Sequence, residues 1–255
     1  MTRDHTPRYL KCKGETLACH VQPGNAPGIV FLGGFGSDMT GSKASFLSQF
    51  CQDRGRSYLR FDYSGHGQSS GQFIEGTIGR WLDDATAVFD HFTTGPQILV
   101  GSSMGGWLMI LLALRRLDRV AGLIGIAAAP DFTEDLIWQT LSAADRHRLT
   151  QEGVIYAPSA YDSETTPLTL RLIEDGRRHL VLRQPIPFVG PVRLLHGTRD
   201  DDVPWQTSCR LAEAIVSTDV IVTLIKGGDH RLSSPANLDC LGARVDEVLA
   251  ALSIG

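Results

Sequence analysis

The chain has 255 residues, 42% of them hydrophobic and 20% charged, with 24 basic against 28 acidic side chains and a formal charge of -4. That composition fills a core and excludes a disordered chain, and the slight acidity offers no electrostatic grounds for binding nucleic acid or an anionic membrane surface. No apolar run approaches the roughly 20 residues of a membrane span, and Cys12, Cys19, Cys51, Cys209 and Cys240 are odd in number, dispersed and without CxxC spacing, so they read as reduced thiols rather than a disulfide frame or a zinc site.

The first fifteen residues carry no apolar h-region and no pattern of a mitochondrial presequence, which sets the expectation of a cytoplasmic location. Tyr9 to Cys12 and Thr16 to Val21 flank Lys13-Gly14-Glu15 and predict a hairpin. After the break at 22–28, runs rich in Val, Ile and Leu at 29–34, 57–62, 97–101, 120–128, 192–197 and 219–227 predict strands covered on both faces. Helix-length segments lie between most of them. Trp81, Leu82, Ala85, Val88, Phe89 and Phe92 share one face at a 3.6-residue period, and 209–216 and 240–252 repeat the pattern. Strands alternating with helices make this an α/β fold, a mostly parallel central sheet flanked by helices with an antiparallel start. The core is expected over 1–130 and 191–255. Residues 131–190 show no strand pattern and carry prolines at 158, 167, 185 and 187, so they are expected to form a small helical cap inserted between late strands.

Two places match GxSxG. Gly67-Gln68-Ser69-Ser70-Gly71 sits in a polar turn, whereas Gly101-Ser102-Ser103-Met104-Gly105 joins an apolar strand to an apolar helix, the context in which a sharp bend exposes a nucleophilic serine. Ser103 is therefore the candidate nucleophile and Ser69 a loop residue. A nucleophile of this type precedes its acid and then its histidine along the chain. His230, in Gly227-Gly228-Asp229-His230 past the last strand, lies beyond every plausible acid, while His196 ends a strand too early in that order and His66 reads as a turn residue that could line the site. Asp200 is the first choice of acid, with Asp202 behind it and Asp131 competing from the previous strand end. The oxyanion needs two backbone N–H donors. Met104 supplies one at the start of its helix, and Phe35, after Gly33 and Gly34, supplies the other. The same glycine loop fails as a nucleotide site because Met39 stands where the third glycine belongs, and "TGSK" lacks the upstream glycine of a P-loop.

In this order and spacing, "RFDYSGHGQSSG", "GSSMGGW", "RLLHGTRDDDVPW" and "GGDHRLS" resemble the serine α/β-hydrolase superfamily from about Ile29 onward, and within it a branch of palmitoyl-protein thioesterases and acyl-glucuronide esterases. The resemblance implies nucleophile, acid and base roles for Ser103, Asp200 and His230, and oxyanion donors at Phe35 and Met104. Gly33 stands where many members carry histidine. It further implies a hydrolase of small acyl esters or thioesters working through an acyl-enzyme, without metal or organic cofactor. An acyltransferase using the same triad, or a non-catalytic ligand-binding protein on the same fold, would share these residues. Gly34, Trp138 and Tyr156, with Phe132, Leu136, Ile137 and Leu170, are the expected substrate-pocket residues. The sequence carries no signal of oligomeric state.

Overall fold

The structure, a computed structural model, describes residues 6–158 and 165–254. Its centre is an eight-stranded sheet in the order β1-β2-β4-β3-β5-β6-β9-β10. β1 (Arg8–Cys12) and β2 (Glu15–Gln22) form the antiparallel hairpin, and β2 pairs antiparallel with β4 (Arg56–Phe61). From β4 on, every neighbour is parallel: β3 (Asn25–Leu32), β5 (Gln97–Ser102), β6 (Val120–Ile126), β9 (Val192–Gly197) and β10 (Val220–Ile225). Every residue of β5 is buried, which is why that strand reads as an apolar run without alternation.

Helices cover both faces. α1 (Ser42–Asp53) and α7 (Pro235–Ile254) pack on one side, joining Ile29, Phe31, Ile98, Val100 and Leu195 of the sheet in a single apolar layer. On the other side lie α2 (Ile78–Phe92) and α3 (Met104–Arg115), and α6 (Gln206–Ala214) adds Leu211 to their layer. α2 starts where Thr77 accepts the Arg80 N–H and buries Trp81, Leu82, Ala85, Val88 and Phe89 as one stripe. α3 is buried on all sides from Met104 to Ala113, so its sequence is continuously apolar.

Between β6 and β9 the chain makes its excursion. A π-helix at Thr133–Trp138 leads to α4 (Ala143–Glu152), then to β7 (Val154–Pro158) paired antiparallel with β8 (Thr165–Thr169), and then to α5 (Leu170–Arg177). The strand pair corrects the expectation that this segment holds no strand. Pro158 and Pro167 read as breakers, but a two-stranded ribbon is all edge, where a residue without an N–H is tolerated. The neck is closed by Asp131, fully buried at φ 61°, whose carboxylate accepts the N–H groups of Val181 and Leu182.

Parallel strands end on the same edge of the sheet, so the loops after β3, β5, β9 and β10 converge there, and the excursion leaves from β6 at that edge too. The bend between β5 and α3 is the tightest of these junctions. A Cβ on Gly105 would lie 2.1 Å from the Leu32 carbonyl oxygen, and one on Gly101 2.3 Å from that of Gly105. Gly105→Ala should therefore lower the unfolding free energy by about 3 kcal/mol or more through forced backbone displacement. Gly41→Ala, where the nearest atom is 3.7 Å away and only the N-cap preference of α1 is lost, should lower it by about 1 kcal/mol or less. Urea denaturation of the two variants checks the contrast.

Candidate active site

Ser103 occupies the bend between β5 and α3 at φ 54° and ψ -120°, a conformation that costs a non-glycine residue about 1–3 kcal/mol. Its own N–H donates to the Ile126 carbonyl at 3.0 Å, and its carbonyl accepts from Gly106 and Ala129, so the strained residue is held on both sides. The side chain stays half-buried, with Oγ 3.0 Å from His230 Nε2. His230 Nδ1 lies 2.8 Å from Asp200 Oδ2. The structure thus brings together three residues that the chain spaces 127 and 30 positions apart. Ser69 is elsewhere: its hydroxyl donates to the Asp62 carbonyl and accepts the Ala18 N–H, tying a turn to β2.

The Asp200 side chain is fully buried. Burial pushes its carboxyl up, but hydrogen bonds from His196, from His230 and from the Val203 N–H outweigh that, and the carboxyl is held far below the usual carboxylate range. His196 is a residue that chain order alone misplaced. Fully buried at the end of β9, it sets Nε2 3.1 Å from Asp200 Oδ2 and 2.9 Å from the Val203 carbonyl oxygen, with Nδ1 2.7 Å from Ser208 Oγ. The sequence signal is its position four residues before the acid, at the closing end of a strand that reads VRLLHG and is buried throughout. Asp131, the rival acid, is spent on the neck and on Arg183, away from His230. Asp202 comes nearer: among the described residues, donor atoms of Asp200, Asp202 and His230 fall within 4.8 Å of one another. A metal ion there would have to displace the 2.8 Å contact between His230 and Asp200.

A cavity of about 260 Å³ opens beside Ser103, lined by Phe35, Met104, Ala129, Phe132, Leu136, Ile137, Leu168, Asp202, Val203 and His230. Its walls are apolar except for Ser103, Asp202 and His230. Met104 opens α3, and the first N–H groups of an α-helix have no partner within the helix. Phe35 sits across the cavity in the loop after β3. Gly34 lies against the nucleophile, since a Cβ there would stand 3.4 Å from Ser103 Cβ. Of the expected pocket residues from the excursion, Phe132, Leu136 and Ile137 line the cavity. Trp138 and Tyr156 do not, and both expectations are corrected. Trp138 packs in the excursion's own small core under the guanidinium groups of Arg146 and Arg177, and Tyr156 stands 60% exposed on β7. Leu170 belongs to that small core as well, while Leu168, unmarked in the sequence because its strand was unrecognised, takes a place in the wall.

Residues 29–239 match the Alpha/beta hydrolase family. The bovine protein named Palmitoyl-protein thioesterase ABHD10, mitochondrial, is 42% identical over 266 residues, covering 98% of this chain and 86% of its own. The structure superimposes on the mouse alpha/beta hydrolase domain-containing protein 10 with a TM-score of 0.90 at 39% identity, covering 97% of this chain and 99% of that one. A putative hydrolase from Agrobacterium vitis S4 gives 0.92 at 39% identity, covering 96% and 99%. The bovine, mouse and human relatives are all named mitochondrial, which overturns the cytoplasmic expectation. Among the described residues no helix is long and apolar enough to cross a membrane.

Because the fold favours ionised Asp200 over the unfolded chain, its contribution to stability is complete above the unfolded carboxylate pKa of about 3.9 and is lost as pH falls toward the lower folded value. The difference in unfolding free energy between wild type and Asp200→Asn should be full at pH 7 and should shrink below about pH 4. Urea titrations across that range measure it.

Proposed function

The chain belongs to the alpha/beta hydrolase family, and from that premise we propose that it is a serine-dependent hydrolase of acyl thioesters and esters. The observation that carries this reading is the unbroken relay from Ser103 Oγ through His230 to Asp200, at 3.0 and 2.8 Å, set at the mouth of an apolar cavity. His230 keeps its Nδ1 hydrogen on Asp200, which leaves Nε2 to take the Ser103 proton as Oγ attacks the substrate carbonyl carbon. The carbonyl oxygen becomes an oxyanion facing the N–H groups of Met104 and Phe35, donors worth on the order of 3 kcal/mol of barrier each. Collapse of that intermediate breaks the bond to the thiol or alcohol, which leaves with the proton from His230. Water, deprotonated by the same imidazole, then releases the acid from the acyl-enzyme. No step calls for a metal ion or an organic cofactor.

The excursion over 131–190 is the cap of this reading, and 1–130 with 191–255 the catalytic core. The cap contributes no group to the relay. It supplies Phe132, Leu136, Ile137 and Leu168, so its work is to choose the acyl group. The apolar walls suit an uncharged acyl chain, such as the palmitoyl group in the name of the bovine relative.

Ser103→Ala should abolish labelling by a fluorophosphonate probe and lower kcat on a p-nitrophenyl ester by at least about 10³-fold. Persistent labelling would remove Ser103 from its role. Across straight-chain acyl thioesters from two to sixteen carbons, kcat/KM should rise with each methylene that the cavity takes in, by up to about fourfold per methylene. A kcat/KM that does not change with chain length would overturn the cavity's role in binding the acyl group.

A further inference from the structure

The turn after β4, Asp62-Tyr63-Ser64-Gly65-His66-Gly67, has no place in the relay, yet it touches the loop after β3 at three points. The Tyr63 hydroxyl lies 3.4 Å from the Gly33 carbonyl oxygen, His66 Nε2 lies 3.2 Å from the Gly36 nitrogen, and Asp62 Oδ1 accepts the Met39 N–H at 2.7 Å. These contacts bracket Phe35. We propose that His66 is a positioning residue for the oxyanion loop, accepting the Gly36 N–H so that the Phe35 N–H stays aimed at the substrate oxygen. This rests on the serine-hydrolase reading above.

The loop needs such a restraint because of what makes it useful. Gly33, Gly34 and Gly36 surround Phe35, and Gly36 is at φ 70°. Glycine lets the backbone pass close to Ser103, and it also opens alternative peptide orientations at little steric cost. A peptide group rotates as a rigid plane. The plane that carries the Phe35 N–H also carries the Gly34 carbonyl, which accepts the Ser37 N–H at 3.1 Å; the contacts at the Gly33 carbonyl and the Gly36 N–H hold the planes on either side, so this turn keeps its shape around Phe35.

His66 is built to accept. It is 4% exposed, and its ring is walled by Tyr63, Phe73 and Trp81 at centroid distances of 5.5, 5.1 and 5.2 Å. Nδ1 lies 3.3 Å from the Ser64 carbonyl oxygen and carries the ring hydrogen, which leaves the lone pair on Nε2 for Gly36. Burial pushes the imidazole down to about 4, against a smaller opposing effect of the Ser64 carbonyl, so a second proton does not compete for Nε2 at neutral pH. The ring is in turn located from below: Asp84 accepts both the N–H and the hydroxyl of Ser64, and Trp81 Nε1 donates to its carbonyl. His66 is absent from the cavity lining, so it acts through its neighbours: through the Gly36 N–H, and through Phe73 and Trp81, which also pack on the Phe35 ring and which an aromatic replacement of His66 would still meet.

His66→Phe keeps an aromatic ring in the walled space and removes the acceptor, while His66→Gln returns an oxygen near the position of Nε2. In H66F, kcat on a p-nitrophenyl ester should fall about 10- to 100-fold with KM within about twofold of wild type. Affinity for a trifluoromethyl ketone, whose adduct with Ser103 carries the oxyanion, should weaken in step with kcat/KM. H66Q should recover most of both, and hydrogen exchange at the Gly36 amide should quicken in H66F and not in H66Q. Unchanged kcat in folded H66F, or equal losses in H66F and H66Q with raised KM and lowered Tm, would overturn the proposal. Unchanged Gly36 exchange would overturn it whatever the turnover. Should H66F fail to fold, H66N against H66Q decides, since the shorter amide cannot reach Gly36: equal kcat in the two refutes the role. Failure of the serine-hydrolase reading is a separate result, an S103A variant that still turns over the ester.

Discussion

A non-glycine residue held at φ 54° between a strand and a helix is the constraint from which the rest of this site follows. Ser103 can stay there only because the chain passes it at distances no side chain would permit: Gly105 runs under the Leu32 carbonyl and Gly101 under that of Gly105. The strain, about 1–3 kcal/mol, is local. What offsets it is extended, namely a strand whose every residue is buried and a helix buried on all sides through three turns. The bend could not be relaxed without breaking β5 out of the centre of the sheet or lifting α3 from both its neighbours. A half-buried hydroxyl is therefore held in place by a strand and a helix that are themselves buried along their length.

The same logic governs the acid. A fully buried carboxylate is costly unless its lone pairs are filled, and Asp200 has its oxygens engaged by His196, His230 and the N–H groups of Asp202 and Val203. His196 thus does for Asp200 what the β5 packing does for Ser103: it keeps an unfavourable arrangement in place so that His230 finds an ionised partner in one orientation. Two imidazoles share one carboxylate, and the one that cannot reach substrate fixes the geometry of the one that can.

The parts of this design governed by local pattern were legible in the sequence. Parallel strands announced themselves as apolar runs, the bend as GxSxG between two such runs, and His230 as the histidine past the last strand. What escaped depended on contacts between distant segments. Pro167 argues against a strand until one sees that its partner ribbon is all edge. Tyr156 and Trp138 are aromatic residues in a cap, but which face of the cap they take is set by how α4, β7 and α5 pack around Leu149 and Ile173, and no periodicity in a segment this short reports that. His66 reads only as a turn residue and His196 only as a strand end, because their partners, Gly36 and Asp200, offer a backbone N–H in one case and one carboxylate of an acidic run in the other.

Phe35 is where the two halves of the site meet. Its backbone belongs to the loop that would bind the oxyanion, and its ring belongs to the wall that would bind the acyl group, packed edge-on against Phe73, Trp81 and Phe132 at centroid distances of 4.8, 5.7 and 5.8 Å. Phe132 in turn meets Trp107 of α3 and stands at the root of the cap. A displacement of residues 131–138 transmitted through Phe132 would therefore arrive at the residue whose N–H is proposed to face the developing charge. On that reading, filling the cavity and stabilising the transition state would not be independent: an acyl group that pressed Phe35 into its aromatic surroundings would hold the donor in place, and a shorter one would leave that task to the turn beneath it. Binding energy from the non-reacting end of the substrate would in this way act at the reacting carbonyl.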